Sequence, residues 1–155
     1  MTISVNDPES GAESGNIAAA SDKGASGAGD EAPRVHLSIP ATSRYLRLAR
    51  LTAAGLAGDL GYPVDAIEDL RIAVDELCAA IIEDTAGTTE LALTHHETTG
   101  ALVVEGTCKA RSANTPELHG VARELLNMLA DEYSIGAIDG YRNFRLVKYA
   151  ESSEV

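Results

Sequence analysis

Residues Ala66 to Asp84 read AIEDLRIAVDELCAAIIED. Ile67, Leu70, Val74, Leu77 and Ile81 step three and four apart, which predicts a helix with one continuous apolar stripe. Asp65 followed by Glu68 supplies a capping-box-like start. Such a stripe needs a second surface to cover it. On the helix's other side Glu76 stands off the stripe, one turn from Ile72 and Ala80. A carboxylate beside a small apolar strip is either a general base with a raised pKa or an ordinary solvated helix acid next to Asp75.

The flanking segments supply the covering surface. RVHLSIP, from Arg34 to Pro40, alternates Val35, Leu37 and Ile39 and predicts a half-buried strand. Thr42 or Ser43 caps a following helix that runs to about Leu60, with Leu46, Ala49, Ala53, Leu56 and Leu60 on its inner side. Gly61 stops it and Pro63 prevents continuation. After the opening helix, Thr89 to His95 and Ala101 to Cys108 alternate as two strands around a turn at Thr99-Gly100. Glu117 to Tyr133 reads as a third helix, with Leu118, Val121, Ala122, Leu125 and Leu129 inward. A last hairpin, Tyr133 to Ile138 and Asn143 to Tyr149, turns at Asp139-Gly140. The order βα, α, ββ, α, ββ predicts an α+β fold: a two-layer sandwich of a mostly antiparallel sheet with helices on one face.

The chain has 155 residues, which suggests one folded domain, from residue 34 to 150. Met1 to Pro33 is Ala-, Gly- and Ser-rich, with Lys23 as its only Lys or Arg besides acids at Asp7, Glu9, Glu13, Asp22, Asp30 and Glu31. Too few large apolar groups are present to offset the entropy of ordering, so this stretch reads as a disordered tail or as an acidic arm for a basic partner. Residues 151–155 read as a short second tail.

A net charge of −12 opposes binding to nucleic acid or an anionic membrane through the overall field. No Trp and a single Phe, Phe144, leave no aromatic platform for bases. Cys78 and Cys108 are too few for a disulfide framework and read as reduced thiols, or else as a redox pair if their elements face each other. The start of the chain lacks the basic and apolar runs of a signal peptide, and no stretch reaches membrane-span length, so a cytoplasmic protein is expected. His95 and His96 are adjacent on a strand and point to opposite faces, so no metal site is expected from them. The chain carries no P-loop, no Gly-x-Gly-x-x-Gly and no Ser-centred nucleophile motif.

The run DLRIAVDELCAAII, preceded by VHLSIP and the helix from Thr42, resembles the anti-sigma-factor serine-kinase family. ELHGVARELLNMLADEYSI and FRLVKY resemble that family's last helix and strands, so the resemblance spans roughly Arg34 to Tyr149. It implies the histidine-kinase-like ATPase fold, ATP with magnesium as cofactor, a homodimer, and two partners: an alternative sigma factor and an anti-anti-sigma protein. It also implies that Glu76 is the general base for a serine hydroxyl.

The family's ATP motifs are eroded in this chain. Ala80 stands where the family holds magnesium with an asparagine, and alanine offers no oxygen. Asp84 stands where a basic residue or histidine is expected near the phosphates. Cys108-Lys109-Ala110-Arg111 replaces the Asp-x-Gly-x-Gly box, and Asn143-Phe144 occupies the place of the late Gly-Thr. Of the glycine-rich phosphate stretch only Gly120 remains as a cofactor-binding candidate, and Ala110 to Glu117 is short for a nucleotide lid. Loss of a single transition-state donor costs about 10²–10³ in rate, and here several are missing together.

Two functions follow. One is an anti-sigma factor that sequesters its partner without kinase chemistry, with the row Arg44, Arg47 and Arg50 either meeting acidic side chains of that partner or forming a solvated helix face. The alternative is an active ATP-dependent serine kinase of an anti-anti-sigma protein. The same fold with an unrelated partner also stays open.

Overall fold

A computed structural model describes residues 1–6, 32–85 and 88–150. Six antiparallel strands form one sheet in the order β1-β2-β3-β4-β6-β5. The strands are β1 (Thr2–Asn6), β2 (Arg34–Pro40), β3 (Glu90–Thr98), β4 (Ala101–Lys109), β5 (Glu132–Ile138) and β6 (Tyr141–Tyr149). Three helices, α1 (Leu46–Asp59), α2 (Val64–Ile82) and α3 (Gly120–Leu129), make the second layer. The α+β sandwich read from the sequence is the fold observed.

Helix α2 behaves as the stripe read in Ala66 to Asp84 requires. Leu70, Val74, Leu77 and Ile81 are all fully buried, joined by Ala66, Ala73 and Cys78. They pack in one core with Leu37 and Ile39 of β2, Leu91 and Leu93 of β3, and Phe144 and Leu146 of β6. At roughly 1.5–3 kcal/mol per large side chain, this burial is the main favourable term for placing α2 on the sheet.

Gly61 stops α1 through a specific geometry. Its φ is +79°, and Gly61 N–H donates to Gly58 O while Tyr62 N–H donates to Ala57 O. That pair of bonds is a Schellman cap, which only a residue free to take positive φ completes cheaply. The cap turns Tyr62 down into the sheet. Its hydroxyl donates to Lys148 O at 2.7 Å and accepts from Leu102 N at 2.9 Å, so the linker between α1 and α2 is fastened to β6 and β4. The last hairpin turns at Asp139 (φ +52°) and Gly140 (φ +80°), as the Asp-Gly pair requires.

Four expectations are corrected. Thr2–Asn6, inside the stretch expected to be a disordered tail, is an edge strand paired to β2. Ile3 and Val5 are 58% and 61% exposed, so the backbone ladder holds it and side-chain burial adds little. The remaining tail positions, 7–31 and 151–155, lie outside the described residues. The third helix starts at Gly120 instead of Glu117 and ends at Leu129. Its buried side chain is Leu126, and Val121 is 72% exposed, because the docked face is rotated from the one read in the sequence.

The expected helix caps do not form. Neither Thr42 nor the start of α2 makes a side-chain capping bond; Pro63 is the N-cap of α2, and Glu68 pairs with Arg71 instead. Finally, β3 runs on to Thr98, three residues past its expected end, because Glu97 and Thr98 pair with Leu102 and Ala101.

One close approach yields a stability prediction. Gly106 pairs with Phe144 across β4 and β6, and a Cβ at position 106 would overlap the buried Phe144 ring. Gly106→Ala is therefore expected to cost about 1–3 kcal/mol through forced repacking. Urea unfolding measures it, and an unchanged midpoint would show that the ring moves freely.

Candidate functional site

Glu76 lies on the flank of α2 that faces the start of α3. Between them is a cleft of about 220 Å³ lined by Glu76, Ala79, Ala80, Glu83, Glu117, Leu118, His119 and Ala122. Leu77 and Ile81 anchor α2 in the core, which holds the Glu76 flank toward this cleft. Gly120 is the first residue of α3, between His119 and Ala122 of the lining, so the fold brings the two sequence candidates to one place. No neighbour comes within 4 Å of a Cβ built at Gly120, so packing does not demand glycine there.

The lining has three carboxylates, at Glu76, Glu83 and Glu117, and neither lysine nor arginine. His119 reaches Glu83 at 3.9 Å on the surface. Ala80 presents only a methyl group at the floor, 8% exposed. Among the described residues no three His, Cys, Asp or Glu side chains stand close enough together to hold a metal ion.

Asp84 is not the free negative charge that its position in the sequence suggests. Arg142 of β6 is buried beside it, with Nη2 at 3.8 Å from Asp84 Oδ2 and 3.4 Å from Ser112 Oγ. Arg111 N–H donates to Asp84 O, and Thr85 bridges to Ala110, so the end of α2 is tied to the segment after β4. Arg142 and its neighbours Asp84, Ser112, Asn114 and His119 line a second cavity next to the first.

Sequence reasoning missed Arg142, and it missed Lys148 at the other end of the same strand. Lys148 Nζ donates to Leu129 O at 3.0 Å and lies 3.6 Å from Asp69 on α2. The signal was present, because Arg142, Phe144, Leu146 and Lys148 alternate onto one face of β6, the core face. The two cations answer two acids of α2, near its start and just past its end.

The arginine row is divided. Arg50 is ion-paired with Asp75 of α2. Arg44 lies in a short 3₁₀ turn, Ser43–Tyr45, with its guanidinium over the Tyr45 ring, and Arg47 is in the first turn of α1. Arg44 and Arg47 are exposed. Cys78 and Cys108 are both free thiols in the same buried core, and burial pushes both upward in pKa. The second, redox-pair reading of the cysteines has the facing elements it needs, but both sulfurs are shut away from solvent.

Sheet order, helix layer and the α2–α3 cleft together define the histidine-kinase-like ATPase fold. Part of the chain in the structure of the RsbU and RsbW domains of Rv1364c from Mycobacterium tuberculosis has this fold, with a TM-score of 0.57 and 16% identity over 75% of this chain and 32% of that one. The chain is similar to proteins named serine-protein kinase RsbW: it is 36% identical to that of Halalkalibacterium halodurans over 73 residues, 45% of each chain. It is 40% identical to that of Bacillus thuringiensis over 50 residues, 32% of this chain and 31% of that one. The resemblance read from the sequence therefore stands, over less than half the length of these relatives. No protein-family model matches the chain. No helix among the described residues is long and apolar enough to cross a membrane.

Proposed function

We propose that the protein is an anti-sigma factor that binds and sequesters an alternative sigma factor without kinase chemistry. The observation that carries this reading is the lining of the Glu76 cleft: three carboxylates, no lysine or arginine, and a methyl group at Ala80. Near a protein surface, a carboxylate about 4 Å from a phosphate oxygen costs on the order of 4 kcal/mol. The N-terminus of α3 returns only about 0.3–2 kcal/mol. Repulsion wins, so in this reading neither ATP nor magnesium is required, and Glu76 is a remnant of a base. The Arg142–Asp84 pair supports the same view, because the arginine of the adjoining cavity already faces a carboxylate of this chain.

The sigma-facing surface in this reading includes the exposed Arg44 and Arg47, which steer an acidic patch of the partner into place. Arg50 contributes by fixing α1 against α2 through Asp75. An anti-anti-sigma protein is the competing partner, and the working form is a homodimer in the cytoplasm.

The names of the relatives favour one alternative, an active serine kinase of the anti-anti-sigma protein. Capture of the full chain from its own cell extract, followed by incubation with labelled Mg·ATP, separates the two. Co-purification of a sigma factor with no label on any captured protein is the expected result. Label on a partner serine, lost in Glu76→Gln, would establish the kinase instead.

A further inference from the structure

Helices α2 and α3 carry an apolar surface that the core does not use. They run antiparallel. His119, just before α3, meets Glu83 at the end of α2, and Lys148 links Leu129 O at the far end of α3 to Asp69 near the start of α2. Leu126 points into the core. Arg123 and Asn127, one turn apart, mark the flank of α3 toward β5: Arg123 lines a cavity with Tyr133 and Ile135, and Asn127 accepts from the Tyr133 hydroxyl. Val121, Leu125 and Met128 step four and three apart, so they share the other flank, toward α2.

That flank is largely uncovered. Val121 and Met128 are 72% and 77% exposed, and Leu125 is half-buried. On α2, Ile72, Glu76, Ala79 and Glu83 step four, three and four apart and share the flank toward α3. Ile72 and Ala79 are exposed as well. The two flanks form a groove with an apolar rail on α3 and a wall of alternating apolar and acidic residues on α2. The 10 residues of α3 give it a length of about 15 Å, enough for about three turns of a further helix. Apolar side chains gathered in one exposed strip mark a surface on which another packs.

We propose that this groove docks a basic amphipathic helix of a partner protein. Its apolar side chains lie against Val121, Leu125, Met128 and Ile72, and its lysines or arginines meet Glu76 and Glu83. The antiparallel walls select a helix with apolar anchors three and four apart. Charge selects its sign, because the cleft within the groove is lined by three carboxylates and no lysine or arginine. The groove is a second docking surface, apart from the exposed Arg44 and Arg47, and it selects the opposite charge. This inference rests on the reading that the Glu76 cleft holds no nucleotide.

The test is fluorescence anisotropy of the full chain with three synthetic peptides: an amphipathic helix of leucines and lysines, a scrambled form without the apolar stripe, and a form with glutamates for the lysines. The first is expected to bind saturably, about tenfold or more tighter than the scrambled form, with no binding of the glutamate form. Met128→Asp and Val121→Asp are each expected to weaken binding about tenfold, although each adds a negative charge. Attraction by charge alone would make both variants bind more tightly. Ile138→Asp, the same charge change at an exposed position of β5, is expected to stay within about twofold. Sedimentation is expected to give one oligomeric state for the unaltered chain and Met128→Asp. Equal affinity for the scrambled peptide, undiminished binding in Met128→Asp, or a dimer dissociated by Met128→Asp, which would put a second copy in the groove, would overturn the proposal. Displacement of the bound peptide by Mg·ATP would instead keep the groove and overturn the nucleotide-free reading.

Discussion

Tyr62→Phe is expected to lower the stability of the protein by about 2–6 kcal/mol, although it removes one oxygen atom. The hydroxyl is the shared partner of two buried backbone groups, Leu102 N–H and Lys148 C=O. Deleting it leaves a donor and an acceptor unpaired inside the protein, each at a cost of about 1–3 kcal/mol. The position cannot relax easily, because the Schellman cap at Gly61 fixes where Tyr62 enters the core. Burial raises the phenol's pKa, as expected for a hydroxyl that works as a neutral hydrogen-bonding group. Tyr141→Phe is the control: that ring is half exposed, so a change within about 0.5 kcal/mol is expected. Urea unfolding of the two variants measures the contrast. Equal, small effects would show that water replaces the hydroxyl without loss.

The second large effect is on acid stability. Burial lowers the His95 imidazole from its ordinary value of 6.5 to about 4, and the nearby His36 and His96 push the same way, while the Val35 carbonyl opposes them. Between those two values the unfolded chain holds a proton at this position and the folded chain does not. Stability from His95 is therefore fully present above about pH 6.5 and is lost as pH falls toward about 4, on the order of 3 kcal/mol in all. Asp59 and Glu97 line one surface pocket with His95, so the comparison must be made against a variant that keeps both. Unfolding free energies at about pH 7 and about pH 4.5 are expected to differ more in the unaltered chain than in His95→Phe. Equal pH slopes would contradict the assignment.

Much of the fold was legible because its strongest signals are local. The stripe Leu70, Val74, Leu77, Ile81 repeats at the helix period and can face only one way. Gly61, Gly100 and Asp139-Gly140 mark the three places among the described residues where the backbone takes positive φ beside an element end. What was not legible depends on distant partners. Thr2–Asn6 alternates only Ile3 and Val5, too short a run to stand alone, and it is a strand because β2 offers it an open edge. In the third helix, either Val121 or Leu126 can join Ala122, Leu125 and Leu129 on the inner face, and only docking on α2 and the sheet turns Val121 outward and Leu126 inward.

The site was half legible for a similar reason. Glu76, Ala80 and Gly120 follow from one-turn spacing and from a resemblance, and the fold gathers them around one cleft. Arg142 changes the meaning of Asp84, yet the two are 58 residues apart in sequence (142 − 84) and meet only when β6 docks under α2. Charged residues are ordinarily assigned to solvent, so the alternation that puts Arg142 and Lys148 inward is easily passed over.

The central claim is that partner binding is uncoupled from nucleotide chemistry at Glu76. The most direct test is the affinity of the full chain for its co-purified sigma factor, measured with and without Mg·ATP, in the unaltered protein and in Glu76→Gln. All four dissociation constants are expected to agree within about twofold. A shift of about tenfold or more with Mg·ATP, abolished by Glu76→Gln, would contradict the account and restore the kinase.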